Sequence, residues 1–418
     1  MTPSLSDLTR TFARIGVLSF GGPAAQIALM HRTIIDERKW VAEPDYLRAL
    51  SFCMLLPGPE AMQLATWIGW RLHGTLGGLI AGLLFVLPGA VVVLALSMIY
   101  ALFGNVPFVG ALFFGIQAAV VVVVIEALLR VAKRALKGRL QWAIATAAFV
   151  GLFVLNLPFP LIIAAAGLLG FLTTRKTAPA PAAPAPAPAA MRQSLQAIFI
   201  WGAVWLVPLG LLMLQGGLLA DLGLFFSKLA VLTFGGAYAV LAWMTQEVVQ
   251  DRAWLTLPEM MAGLGLAETT PGPLILVTQF VGFLAAFKAA GLWAGIAGAV
   301  TALWMTFAPC FLWIFAGAPW IARLTAMPRL SGALSAITAA VVGVIANLSL
   351  WFAAHVFFGQ ISRLTTGPID MILPQLSSLN PIAVIIAALA GWLLLWRHWN
   401  LIAVLVISAL AGLLQLAF

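Results

Sequence analysis

The residues best placed to do chemistry are Pro57-Gly58-Pro59 and Pro271-Gly272-Pro273, each set inside an apolar run. Proline lacks an amide donor and disfavours helix in the residue before it, so each tripeptide ends a helical piece and frees backbone groups. At membrane depth such backbone is tolerated only against protein or a watery cavity. A half-helix starting after Pro59 or Pro273 would aim unpaired N–H groups and a positive dipole end into that cavity, which makes an anion site. Glu60 and Gln63 follow the first turn, Thr278 and Gln279 follow the second, and Glu268 and Thr270 precede it. A carboxyl in an apolar segment is costly unless paired or protonated, so Glu60 and Glu268 are candidates for coupling or gating. Gln63, Thr270, Thr278 and Gln279 are candidates for contact with an oxyanion, and each alone would serve as well as a hydrogen bond between helices.

These turns belong to a duplicated plan. Each Pro-Gly-Pro follows a Phe-Gly-Gly, Phe20-Gly21-Gly22 (with Pro23 next) and Phe234-Gly235-Gly236, and glycine lets backbone approach backbone or ligand closely. Met30 and Met244, Arg38 and Arg252, Trp40 and Trp254, and Pro44 and Pro258 are all 214 positions apart. Farther on the offset is 221, pairing Pro88 with Pro309 and Pro107 with Pro328. Two copies of one unit, residues 11–130 and 225–351, therefore make most of the chain. Kinks and tight helix packing also use glycine and proline; two motif types present in both copies favour a site. Arg38 and Arg252 sit in charged connectors beside Asp36, Glu37 and Asp251, as gates or as interfacial salt bridges.

The elements that must position these residues are membrane helices. Of the 418 residues 63% are hydrophobic and 8% charged, against roughly a quarter charged in a soluble domain. Apolar runs recur along the whole chain, which predicts an all-α polytopic membrane protein of about 13 hydrophobic segments, counting broken or re-entrant ones. The net charge of +9 marks cytoplasmic loops, not a nucleic-acid site. Cys53 and Cys310 lie in apolar surroundings and His31, His73, His355 and His398 are scattered, so no metal or other cofactor is expected. Met1–Arg10 has no apolar core of a cleaved signal peptide.

Basic residues give the orientation. Arg130, Lys133, Arg134, Lys137 and Arg139 form one cytoplasmic cluster and Arg175-Lys176 another, with a hairpin of two spans between them. Four spans before the first cluster put the N-terminus in the cytoplasm. The span at 198–220 delivers the second copy to the opposite side, so the copies are inverted and the C-terminus is periplasmic. The uncharged turn at 104–107 has a counterpart carrying Arg323 and Arg329, as inversion requires. The domains are a repeat with its hairpin (1–172), a Pro/Ala-rich cytoplasmic linker in polyproline conformation (173–197), and a connecting span with the inverted repeat and a final hairpin (198–418). Inverted repeats with broken helices are typical of secondary transporters. No ATP-binding motif and no nucleophile or His-carboxylate cluster is evident, which disfavours an enzyme acting on lipid phosphate. A passive or exchange-type oxyanion channel is the alternative to a transporter.

Phe20-Gly21-Gly22-Pro23, Leu56-Pro57-Gly58-Pro59, Phe234-Gly235-Gly236 and Thr270-Pro271-Gly272-Pro273, on a duplicated hydrophobic chain, resemble the bidomain members of the chromate transporter family. That resemblance implies export of chromate, a tetrahedral dianion similar to sulfate, across the bacterial inner membrane, with chromate resistance as the outcome. Its partners would be the anion, the bilayer and, in a homodimer, a second copy of the chain. Gly236 is followed by Ala237 where the first copy has Pro23, so the two Phe-Gly-Gly turns need not be equivalent.

Overall fold

The computed structural model describes residues 3–104, 106–174, 188–234, 237–325, 327–367 and 369–416. Helices dominate. In order they are α1 (Leu5–Leu18), α2 (Gly22–His31), α3 (Glu43–Cys53), α4 (Glu60–Phe103), α5 (Pro107–Ala135), α6 (Arg139–Phe153), α7 (Phe159–Thr173) and α8 (Pro188–Gln215). They continue as α9 (Leu218–Leu232), α10 (Ala237–Thr245), α11 (Leu257–Thr269), α12 (Val277–Gly317), α13 (Ile321–Thr325), α14 (Pro328–Phe357), α15 (Pro381–Gly391) and α16 (Leu401–Gly412). Among the described residues five helical stretches are long and apolar enough to cross a membrane: Glu60–Phe103, Pro107–Ala135, Ala190–Gln215, Leu274–Thr325 and Pro328–Phe357.

The two copies repeat each other in backbone detail. The chain after α2 widens into a π-helical turn, Arg32–Glu37, and the chain after α10 does the same at Gln246–Asp251, 214 positions on. Left-handed residues follow at Lys39 (φ 54°) and Ala253 (φ 50°), again 214 apart. α4 breaks at His73–Gly74, and α12 at Ala290–Gly291. Both breaks are reversals. A Cβ at Gly69 would lie 2.1 Å from the Gly77 carbonyl oxygen, and one at Gly282 would lie 2.5 Å from that of Gly298, whereas in a straight helix residues 69 and 77 stand about 12 Å apart. Such close approach requires glycine. The leading piece of α4, up to the break, is about 20 Å long, and α1, α2 and α3 are no longer; each is too short to cross about 30 Å of hydrocarbon alone.

The chain divides into two compact units, each assembled from separate segments. The first holds the described residues of Met1–Ala101, Lys176–Ala237 and Leu266–Ser331; the second those of Leu102–Arg175, Tyr238–Gly265 and Gly332–Phe418. In the first, α8 and α9 pack on α12, with Trp201 stacked on Phe311 at 5.2 Å and the Trp205 indole donating to Ser227 Oγ at 3.1 Å. In the second, α15 and α16 pack on α5 around Ala118, Val122, Ile386, Ala390 and Val404.

Two differences from the sequence reading stand out. α8 begins at Pro188, ten residues before the expected span, because proline suits the first helical position and the Ala-Ala behind it favours helix; the rest of the Pro/Ala tract, 175–187, lies outside the described residues. The chain is also not wholly α-helical: Ile361–Thr366 and Ile369–Pro374 pair as an antiparallel hairpin, β1 and β2.

Candidate functional site

Each Pro-Gly-Pro is a tip between a short helix and a long, broken one. The first joins α3 to α4; the second joins α11, through a 3-10 turn at Leu274–Leu276, to α12. Gly58 has φ +115° and Gly272 φ +92°, a region that side-chain-bearing residues rarely adopt. The Gly58 amide donates to the Thr233 carbonyl at 2.9 Å, and the Gly272 amide donates to the Ser19 carbonyl at 2.8 Å. Ser19 and Thr233 are 214 positions apart, as are Gly58 and Gly272, so each bond is the image of the other. Thus the Pro-Gly-Pro tip of either repeat is tied to the residue preceding the Phe-Gly-Gly of its opposite number.

The tips also rest on each other's long helices. A Cβ at Gly58 would stand 2.9 Å from Cys310 Sγ of α12, and a Cβ at Gly89 of α4 would stand 2.1 Å from the Pro271 carbonyl oxygen. Gly89 and Cys310 are related by the 221 offset.

A buried polar network runs between the tips. Gln26 donates through Nε2 to the Gly272 carbonyl at 2.7 Å and to that of Ser19 at 3.3 Å. Gln63 Nε2 donates to the Pro57 carbonyl at 2.6 Å, and Gln279 Nε2 to the Ala90 carbonyl at 3.0 Å. Thr306 Oγ1 lies 3.3 Å from Thr278 Oγ1, and Cys310 Sγ donates to the Thr306 carbonyl at 3.4 Å, which links the second tip to the side chain facing Gly58. Gln26, Gln63 and Gln279 are at most 2% exposed, and their Oε1 atoms accept no hydrogen bond from the described residues. Buried acceptors without partners are uncommon and costly.

Other candidate residues are placed as follows. Gly21 and Gly22 have φ of 83° and 78°, and Pro23 lies in the first turn of α2. Thr270 Oγ1 donates to the Ala267 carbonyl at 3.2 Å and Thr278 Oγ1 to that of Ile275 at 2.8 Å. Each hydroxyl has a single proton, so these two are already committed to backbone. Glu60 lies in the first turn of α4, where a carboxylate occupies the favourable end of the helix dipole; the first turn of α12 has no acidic residue. Glu268 is 9% exposed near the C-terminal end of α11, where the dipole opposes negative charge. Gly235 and Gly236 lie outside the described residues.

Arg38 and Arg252 each follow a π-helical turn and stack on a tryptophan, Trp40 at 5.6 Å and Trp254 at 4.9 Å. Arg252 is half-buried and its Nε lies 3.1 Å from Glu247 Oε2. In the same turn partial burial, together with the nearby Glu247 carboxylate, pushes the Asp251 carboxyl above its ordinary value. Arg252 thus has a local ion pair with Glu247, whereas Arg38 is placed by its stacking on Trp40.

Ser19, Thr233, Gln26, Gly89 and Thr306 were not singled out by sequence reasoning. The signal for Ser19 and Thr233 was present, as hydroxyl residues in register before both Phe-Gly-Gly turns.

The sequence pattern of the family described as Chromate transporter matches residues 6–171 and 220–413, one stretch for each repeat. The chain belongs to the chromate transporter family. It is 31% identical over 398 residues to the Probable chromate transport protein of Synechococcus elongatus, covering 93% of this chain and 95% of that protein. It is 31% identical over 409 residues to the Chromate transport protein of Pseudomonas aeruginosa, covering 93% and 92%. To the Chromate transport protein of Cupriavidus metallidurans it is 29% identical over 345 residues, covering 82% and 81%. No solved structure matches the chain significantly.

Proposed function

We propose that the chain is a secondary active transporter that exports chromate, with sulfate as a second oxyanion, across the bacterial inner membrane by alternating access. The crossed backbone bonds, Gly58 to Thr233 and Gly272 to Ser19, carry this reading, because they bring the broken-helix tips of both repeats into one network. The anion is held by helix-start amides, chiefly those of Leu274 and Ile275 directly after Pro273 and those at the start of α2, where no carboxylate stands in the first turn. The orphan oxygens of Gln26, Gln63 and Gln279 suit a ligand or water with a proton to donate. Glu268 couples or gates that step. An inside-negative potential favours anion exit by about 2.3 kcal/mol per charge per 100 mV.

The repeats are inverted, the N-terminus is cytoplasmic and the C-terminus periplasmic. The family matches at 6–171 and 220–413 support the division into 1–172, a linker at 173–197, and 198–418. Labelling of single cysteines introduced at Asn105 and Arg323 should then occur from opposite sides; labelling from one side sinks the inversion. Everted vesicles should accumulate radiolabelled chromate when an inside-positive potential or a pH gradient is imposed. A passive channel would let chromate equilibrate with the potential but never follow a pH gradient.

A further inference from the structure

A cavity of about 330 Å³ opens within the second unit, and none of its lining residues belongs to the Pro-Gly-Pro or Phe-Gly-Gly turns. Its polar edge is the β-hairpin. Arg363 Nε lies 2.5 Å from Asp370 Oδ1, and Nη2 lies 2.6 Å from Oδ2. Asn156, between α6 and α7, donates through Nδ2 to Asp370 Oδ2 at 3.2 Å, and the Asp370 amide donates to the Val154 carbonyl at 2.8 Å, which fastens the hairpin to that connection. The pair holds the Asp370 carboxyl below its ordinary range, first through the hydrogen bond from Arg363.

Across the cavity is α14. His355 Nδ1 lies 2.8 Å from the Trp351 carbonyl. A carbonyl only accepts, so the proton is on Nδ1, and Nε2 of the neutral ring carries a lone pair. The walls include two indoles: Trp243, stacked on Phe159 at 5.6 Å, and Trp351, whose ring lies 4.3 Å from that of His355.

After these bonds the polar groups keep unused capacity. Among the described residues Arg363 gives two of its five N–H groups to Asp370, Asp370 Oδ1 holds one bond, and His355 Nε2 holds none. The Arg363–Asp370 pair is also neutral overall, so a bare dianion finds no excess positive charge, whereas a ligand with both signs finds a partner for each. The aromatic walls call for an apolar body on the same molecule.

We propose that this cavity binds a phospholipid with a zwitterionic, N–H-bearing headgroup, its phosphate on Arg363, its ammonium toward Asp370 and His355, and its glycerol end along Trp243 and Trp351. Phosphatidylethanolamine has that chemistry. Phosphatidylcholine has the charges but no N–H donor, and phosphatidylglycerol has no cation.

The test is native mass spectrometry of the purified full-length protein, offered the three lipids at equal concentration. Phosphatidylethanolamine should be retained about tenfold better than either rival, the effect of one charge-assisted hydrogen bond. Two variants, each assayed well below its own melting temperature, should lose that preference: Arg363→Gln with Asp370→Asn, which removes the ion pair, and Asn347→Phe, which fills the cavity from α14 and leaves the hairpin alone. Equal retention of the three lipids, or full preference in the cavity-filling variant, overturns the proposal. Displacement of the lipid by chromate overturns it too and makes the cavity an oxyanion vestibule, and displacement by soluble phosphoethanolamine at equal concentration shows that no lipid is required.

Discussion

Replacing Gly58 by alanine adds one methyl group at φ +115°, placed 2.9 Å from Cys310 Sγ and 2.8 Å from Gln63 Nε2. The backbone strain costs about 1–3 kcal/mol. Gln63 must move as well and lose its 2.6 Å bond to the Pro57 carbonyl, adding about 1 kcal/mol, so the whole is about 2–4 kcal/mol. Part of it is the collision with sulfur, which Cys310→Ala removes. In a double-mutant cycle followed by unfolding of the detergent-purified protein, Gly58→Ala with Cys310→Ala should therefore be less destabilised than the sum of the two, by about 0.5–2 kcal/mol. Rescue stays partial because the φ strain remains. Gly272→Ala is the control: there the nearest atom is Leu276 Cδ1 at 3.0 Å, the far end of a flexible side chain, and Cys310→Ala should leave its cost unchanged. Strict additivity at Gly58, or equal rescue at both glycines, would refute the placement of the first tip against α12.

Three further outcomes follow from the same geometry. Gly89→Ala drives a Cβ to 2.1 Å from the Pro271 carbonyl, backbone that cannot swing away, so melting temperature and yield should fall far more than for Gly74→Ala, which meets nothing within 4 Å and carries only the cost of φ +60°. Glu268→Gln should reduce chromate transport and flatten its pH dependence in vesicles while leaving the melting temperature near wild type; unchanged transport and pH profile would make the residue structural. The depressed carboxyl of Asp370 contributes stability that is complete above the ordinary carboxylate range and is lost as pH falls through its lowered value. Wild type should accordingly melt above Asp370→Asn at neutral pH, with the gap closing only in strong acid.

What was legible in the sequence was local chemistry. Gly58 and Gly272 announce themselves because Pro-Gly-Pro cannot continue a helix, and offsets of 214 and 221 pair them across the chain. Which carbonyl each amide would find was not legible, since Thr233 is remote in sequence from Gly58 and Ser19 from Gly272, and an offset reports equivalence, not contact. The sequence also named Thr270 and Thr278 without revealing that their protons go to carbonyls one turn back. Cys310 read as an ordinary core thiol, because nothing in its neighbourhood hints that Gly58 packs on it. The hairpin was missed because Ile361–Pro374 lies between two strong helical signals, although the dipeptide Gly367-Pro368 is a breaker signal in the sequence itself.

The backbone of the two tips is symmetric and the side chains around them are not, and the difference bears on mechanism. Gln26, which braces Gly272, has Val240 at the equivalent position, and Glu60, Gln63 and Thr278 stand where the other copy has Leu274, Val277 and Leu64. Glu268 corresponds to Met54. Identical crossed amide bonds therefore hold two tips of unlike polarity: the first brings its own carboxylate to the start of α4, the second leaves the start of α12 without one and has Glu268 behind it at the end of α11. On the proposed reading, equivalent tips would offer an anion two equal sites. Because Glu60 stands at the positive end of the α4 dipole, that reading favours the tip of the second repeat. Substitutions of equal size at Gly58 and Gly272 should for that reason differ in kind, the first acting mainly on stability and the second on anion affinity as well.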